Sequence, residues 1–117
     1  MGRLTTHVLD TAQGKPAASM TIEFSVRDGS GWTLIKTITT NADGRTDEPL
    51  LATDAMRTGE YQLLFYVGDY FHRAGAGLPQ PAFLDRVPLN FGIADASAHY
   101  HVPLLCSPWS YSTYRGS

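Results

Sequence analysis

From Ser19 to Arg27 the side chains alternate in character. Met20, Ile22, Phe24 and Val26 are apolar; Ser19, Thr21, Glu23, Ser25 and Arg27 are polar. That period of two is the mark of a half-buried strand, whose successive side chains point to opposite faces. It recurs at Tyr61, Leu63, Phe65 and Val67 after Gly59, and at Val87, Leu89, Phe91 and Ile93. Leu4 to Asp10 supplies a first strand. Trp32 to Thr40 follows the turn Asp28-Gly29-Ser30-Gly31 as another β-rich run, and Asn41-Ala42-Asp43-Gly44 interrupts it. His99 to Cys106 reads as a further strand, and Ser107-Pro108 turns the chain into a last one from about Ser110 to Arg115. Short strands divided by turn signals predict an all-β fold, an antiparallel sandwich of about seven or eight strands. One segment departs from the pattern. Gly68 to Gly75 offers Asp69 as an N-cap and Gly75 as a stop, which predicts one short surface helix. The Gly- and Pro-rich stretch from Gly75 to Pro81 should be a loop. No repeat or low-complexity tract divides the 117 residues, 43% of them hydrophobic, so one domain over 1–117 is expected.

Charge and cysteine usage narrow the class of partner. Nine basic and eleven acidic residues give a net charge of −2 with no block of either sign. Nothing here draws the chain to nucleic acid or to an anionic membrane. No apolar run approaches membrane-spanning length, and Met1 to Thr6 lacks the apolar stretch of a signal peptide. A single cysteine, Cys106, cannot form an intramolecular disulfide and suits a reducing compartment. Arg115-Gly116-Ser117 does not match the Ser-Lys-Leu peroxisomal address. The expectation is a soluble cytoplasmic protein, peroxisomal if eukaryotic and imported by another route.

The segment from His99 does not show one apolar and one polar face. Tyr100, Val102, Leu104 and Cys106 form one side; His99, His101, Pro103 and Leu105 form the other. A face that mixes histidine with apolar groups usually meets another subunit or lines a cleft. Pro103 cannot donate a ladder bond, so it needs an edge, a bulge or a place where no N–H is wanted. His7 is out of phase with Leu4, Thr6 and Val8, and points away from the core with Thr5 and Leu9. His7 and His101 could therefore converge if their strands are neighbours; spacing alone favours two unrelated, partly exposed histidines. His72 reads as a surface residue of the short helix. Arg45 follows an Asp-Gly turn, from which a side chain can project. Residues Tyr111 to Ser117 gather aromatic, hydroxyl and guanidinium groups, with a Ser117 carboxylate ionised at neutral pH.

Four motifs in order carry a resemblance: Leu4 to Asp10 followed by Gly14-Lys15-Pro16-Ala17; Asp43-Gly44-Arg45; His99-Tyr100-His101-Val102-Pro103-Leu104-Leu105; and Ser107-Pro108 with Tyr111 to Ser117. Together they span almost the whole chain, which resembles the 5-hydroxyisourate hydrolases of the transthyretin-like family. Departures fall at Leu84-Asp85-Arg86-Val87, where a Phe-Pro pair is expected, and at Cys106, where leucine is usual. The resemblance implies hydrolysis of 5-hydroxyisourate to 2-oxo-4-hydroxy-4-carboxy-5-ureidoimidazoline in urate degradation, in a homotetramer that is a dimer of dimers. It implies His7, Arg45 and His101 as catalytic residues, Tyr114, Arg115, Gly116 and Ser117 as substrate-binding residues, and no metal or cofactor. The chemistry fits these groups: histidine can take a proton from water, and a guanidinium can meet an oxyanion. Three other readings compete. His99-x-His101 with His7 could hold a metal, but no carboxylate or thiolate completes the set. Cys106 could be a nucleophile, but it lies on the opposite face from His101. A non-catalytic ligand carrier like transthyretin would keep the sandwich without needing both histidines and the Arg-Gly-Ser end.

Overall fold

Alternation in the sequence becomes alternation of burial. In the computed structural model, which describes residues 2–116, β3 (Thr21–Asp28) and β5 (Gly59–Tyr66) send Ile22, Phe24, Tyr61, Leu63 and Phe65 inward. The intervening Glu23, Gln62 and Leu64 stay half-exposed. With β4 (Gly31–Thr39) and β6 (Arg86–Ile93) they make a sheet ordered β4-β3-β5-β6. A second sheet, ordered β2-β1-β7-β8, combines β1 (Arg3–Asp10), β2 (Lys15–Pro16), β7 (His99–Cys106) and β8 (Tyr111–Thr113). The core lies between them. Leu4, Val8, Ile22, Phe24, Leu63, Phe65, Val87 and Leu104 are at most 1% exposed. Fully burying one such side chain stabilises the fold by about 1.5–3 kcal/mol. The expected all-β sandwich is the fold observed.

Several local features differ from expectation. β1 and β7 run parallel, in register from Arg3 opposite His99 to Asp10 opposite Cys106, whereas the sequence suggested antiparallel pairing throughout. The chain between them crosses to the other sheet and returns, so no hairpin fixes their relative direction. β4 pairs with β3 through a bulge: Phe24 faces Lys36 and Ser25 faces Leu34, leaving Ile35 as the extra residue. The helix α1 (Val67–Arg73) begins before the expected Asp69 cap, and Tyr66 occupies the cap position. Asp69 instead lies in the first turn, 3.8 Å from Arg86. Nor is α1 only a surface element. Val67, Gly68, Tyr70 and Phe71 are buried, because Val67 carries the apolar face of β5 onward into the core. The departure at residues 84–87 is absorbed locally: Arg86 stacks 3.9 Å over the Tyr66 ring and pairs with Asp85 at 3.1 Å.

Pro103 explains why the last strand is shorter than expected. β8 pairs with β7 from Cys106–Tyr111 to Leu104–Thr113 and then stops. Pro103 has no N–H to continue the ladder, and its carbonyl accepts the Thr113 hydroxyl at 2.6 Å. Tyr114 and Arg115 leave the sheet. The chain rejoins it at Gly116, whose N–H donates to the His101 carbonyl at 2.7 Å and whose carbonyl accepts the His101 N–H at 3.4 Å.

Candidate active site

The parallel register puts Thr5 opposite His101 and His7 opposite Pro103. Leu4, Thr6 and Val8 are buried, so Thr5 and His7 point away from the core; His101 does the same on β7 because Tyr100 and Val102 are buried. The two histidines are thus diagonal neighbours on one sheet face, their ring centroids 6.4 Å apart and tilted by 42°. The convergence that spacing alone left open is present.

Arg45 reaches the same place through backbone geometry. Between Thr40 and Leu51 the chain touches β1 twice. Val8 donates its N–H to Gly44 at 2.8 Å, and Leu4 exchanges bonds with Leu50 and Leu51 at 2.8 and 2.9 Å. Gly44 makes the first contact possible: its φ is +76°, and a Cβ there would stand 2.3 Å from the Val8 carbonyl oxygen. The result is an isolated bridge pairing Arg45 with His7. Between the contacts, Thr46 to Pro49 wall a cleft of about 540 Å³ with Arg3, Thr5, Thr6, Arg45, His99 and His101.

Each ring is held by a different kind of partner. His7 Nε2 lies 2.9 Å from the Asp43 carbonyl oxygen, which can only accept; Nε2 therefore carries a proton and Nδ1 is the lone-pair nitrogen of the neutral ring. His101 Nδ1 lies 2.8 Å from the Thr5 hydroxyl. Burial, and then the Arg45 guanidinium, push the His7 pKa below its ordinary value; the Asp43 carbonyl opposes this. Burial also lowers the pKa of His101, helped by Arg45 and by His7. Both shifts favour the neutral imidazole, the form able to take a proton.

Of the residues expected at the C-terminal end, Gly116 meets this site and two others do not within one chain. A Cβ on Gly116 would lie only 3.0 Å from Cδ2 and 3.3 Å from Cγ of His101, so the close approach depends on glycine. Arg115 turns the other way. Its guanidinium stacks 4.1 Å over the Tyr100 ring and donates to the His99 carbonyl at 3.1 Å. Tyr114 and Arg115 line a separate apolar crevice of about 250 Å³ with Leu89, Phe91, Tyr100 and Val102. Ser117 lies outside the described residues.

The remaining candidates sort themselves by position. His72 is exposed on α1, with Nδ1 3.0 Å from Gln80 Nε2, away from the cleft. His99 lines the cleft beside His101. Cys106 is fully buried on the core side, its thiol pushed up to about 12 by burial and then by Asp10, which suits an inert side chain. Among the described residues no three His, Cys, Asp or Glu side chains are grouped to hold a metal ion. Thr5 was not singled out by sequence reasoning, although its place on the His7 face was legible from the period of two. The Asp43 carbonyl left no sequence signal, because any residue type supplies one.

Residues 4–116 match the sequence model of the HIUase/Transthyretin family. "5-hydroxyisourate hydrolase 2" of Rhizobium meliloti (strain 1021) is 60% identical over 116 residues, covering 99% of this chain and 97% of that protein. Among solved structures, (S)-allantoin synthase superposes with a TM-score of 0.92 at 44% identity. That match covers 99% of this chain, which spans only 44% of the synthase chain. Sea bream transthyretin in complex with thyroxine gives a TM-score of 0.86 at 29% identity, covering 97% of this chain and 94% of that one.

Proposed function

We propose, on the footing that this chain belongs to the HIUase/Transthyretin family, that it hydrolyses 5-hydroxyisourate to 2-oxo-4-hydroxy-4-carboxy-5-ureidoimidazoline in urate degradation. The observation that carries this reading is the meeting of His7, Arg45 and His101 on one face of the β1–β7 pair in a chain of this family. A neutral imidazole takes a proton from water while the water oxygen attacks the amide-like ring carbonyl. The carbonyl oxygen becomes an oxyanion, which the Arg45 guanidinium stabilises with donors and charge. The carbon–nitrogen bond then breaks, the ring nitrogen leaves with a proton returned by the imidazolium, and the six-membered ring opens. This chemistry needs no cofactor.

The same reading makes the active unit a homotetramer, a dimer of dimers. Its support is twofold. Leu9 and Leu105 lie partly exposed beside the histidines, and Trp109 and Tyr114 are 59% and 61% exposed. Tyr114 and Arg115 also lie away from the cleft of their own chain, and two-fold symmetry can carry them to a cleft shared with another copy. In that assembly Tyr114, Arg115, Gly116 and Ser117 hold the substrate ring. No helix among the described residues is long and apolar enough to cross a membrane. We assign the enzyme to the cytoplasm, consistent with its lone buried thiol. The decisive assay follows freshly generated 5-hydroxyisourate in ultraviolet absorbance. The enzyme should speed its decay far beyond the spontaneous rate, and a decay curve unchanged by added protein would end the proposal.

A further inference from the structure

The contact between Thr5 and His101 joins strands at opposite ends of the sequence, 96 residues apart, at 2.8 Å. It is the only hydrogen bond described for the His101 ring, and the Thr5 hydroxyl has no other described partner. A threonine hydroxyl can donate or accept, so its partner's needs decide the direction. If the hydroxyl donates to Nδ1, the neutral ring carries its proton on Nε2, and the nitrogen with the lone pair is already occupied. If Nδ1–H donates to the hydroxyl oxygen, Nε2 keeps a free lone pair. In that direction the same bond also survives after Nε2 gains a proton. Packing agrees with the second arrangement. Gly116 closes on the Cγ–Cδ2 edge of the ring and Thr5 holds the Nδ1 edge, while no hydrogen bond reaches Nε2 from the described residues.

Resting on the hydrolase reading above, we propose that Thr5 is a positioning residue: its hydroxyl accepts from His101 Nδ1–H and so presents the Nε2 lone pair of His101 as the base that takes the proton from water. His7 is held in the opposite sense, because the Asp43 carbonyl fixes its proton on Nε2. The two rings thus present different nitrogens. Thr5 itself touches no reacting atom.

Thr5→Val keeps the shape and the strand preference but removes the hydroxyl, whereas Thr5→Ser restores it. A hydrogen bond to a group that becomes charged is worth a factor of about 10–100 in an equilibrium or a rate. Thr5→Val should lower kcat by roughly that factor with little change in KM, and Thr5→Ser should recover most of it. The acid limb of the kcat profile should move to lower pH in Thr5→Val, since the imidazolium loses an acceptor. The other groups around the ring, namely Arg3, His7, Arg45, Asp47, Glu48 and His99, are common to both variants. Nitrogen-15 NMR of the His101 side chain should report a proton on Nδ1 in the wild type and a mixture of tautomers in Thr5→Val. Adding Thr5→Val to His101→Ala should cost nothing further. Wild-type kcat and pH profile in Thr5→Val would overturn the inference. So would equal losses in the Val and Ser variants, or an Nε2 proton in the wild-type spectrum. If His101→Ala itself retains full turnover, the active-site reading falls and this inference falls with it; a crippled His101→Ala beside an intact Thr5→Val sinks this inference alone.

Discussion

Replacing Gly116 by alanine tests how tightly the site is built. The added Cβ would stand 3.0, 3.1 and 3.3 Å from Cδ2, Cβ and Cγ of His101. Carbon atoms in good contact are separated by about 3.5–4.0 Å. Gly116 is not in the left-handed region, so alanine meets no backbone penalty there and the contact alone decides the outcome. Either the imidazole gives way by about 0.5 Å, or the two backbone bonds joining Gly116 to His101 stretch. A misplacement of about 1 Å can cost about 10²-fold in rate. Half of that, taken logarithmically, predicts a loss of roughly 10-fold in kcat. Stability should suffer much less, because segment 114–116 can lift from the sheet instead of straining a core; about 1 kcal/mol, or some 4 °C in Tm, is the upper end. Initial rates on saturating, freshly generated 5-hydroxyisourate, read beside a thermal melt, make the comparison. Should Gly116→Ala turn over at the wild-type rate, the close approach has no bearing on His101 and the reasoning fails.

His7→Ala and His101→Ala should each lower kcat by about 10²–10⁴-fold and Arg45→Ala by about 10²–10³-fold, all with intact melts; His72→Ala, exposed on α1, serves as the unaffected control. Gly44→Ala combines a strained φ of +76° with a 2.3 Å approach to the Val8 carbonyl. It should destabilise by about 1–3 kcal/mol and also abolish turnover by displacing Arg45, whereas an active and equally stable variant would contradict the account of the turn. Activity should titrate away on the acid side with an apparent pKa below 6.5, because both histidines are lowered from that value. The unfolded chain binds more protons in the window between the lowered values and 6.5, so stability rises with pH across it and is lost as pH falls through it; melts recorded as a function of pH check the sign. Light scattering at micromolar concentration should give close to four times 12.8 kDa, and a fully active monomer would exclude the proposed assembly.

Strand positions were legible because burial on one face writes a period of two into the residues themselves. Tyr61 to Phe65 and Val87 to Ile93 show it without ambiguity. The outward phase of His7 and His101 followed from the same logic, and it is the phase observed. Direction and partner were not legible: the parallel β1–β7 pairing depends on how the intervening chain is routed, which no local pattern encodes. The start of α1 was misjudged because Asp69 offers a capping side chain, yet burial of Val67 and Phe71 counts for more than one cap. Pro103 announced an interruption without saying what it interrupts, since the missing bond matters only beside β8. The turn carrying Arg45 was recognisable from Asp43-Gly44, but its docking on β1 is a tertiary fact.

The parallel pairing of β1 with β7 has a consequence for biosynthesis. Arg3 to Asp10 leaves the ribosome well before its partner His99 to Cys106 and must wait for it. Until then His7 has no His101 beside it, and β1 exposes an unpaired edge that a neighbouring nascent chain could occupy. The His7–His101 pair is therefore among the last contacts to form, and contacts this distant in sequence place folding in the slow range of about milliseconds to seconds. In a stopped-flow refolding experiment, recovery of turnover should coincide with or trail the final change in tryptophan fluorescence. Activity regained in an earlier phase would mean that the two ends find each other before the rest of the sandwich has closed.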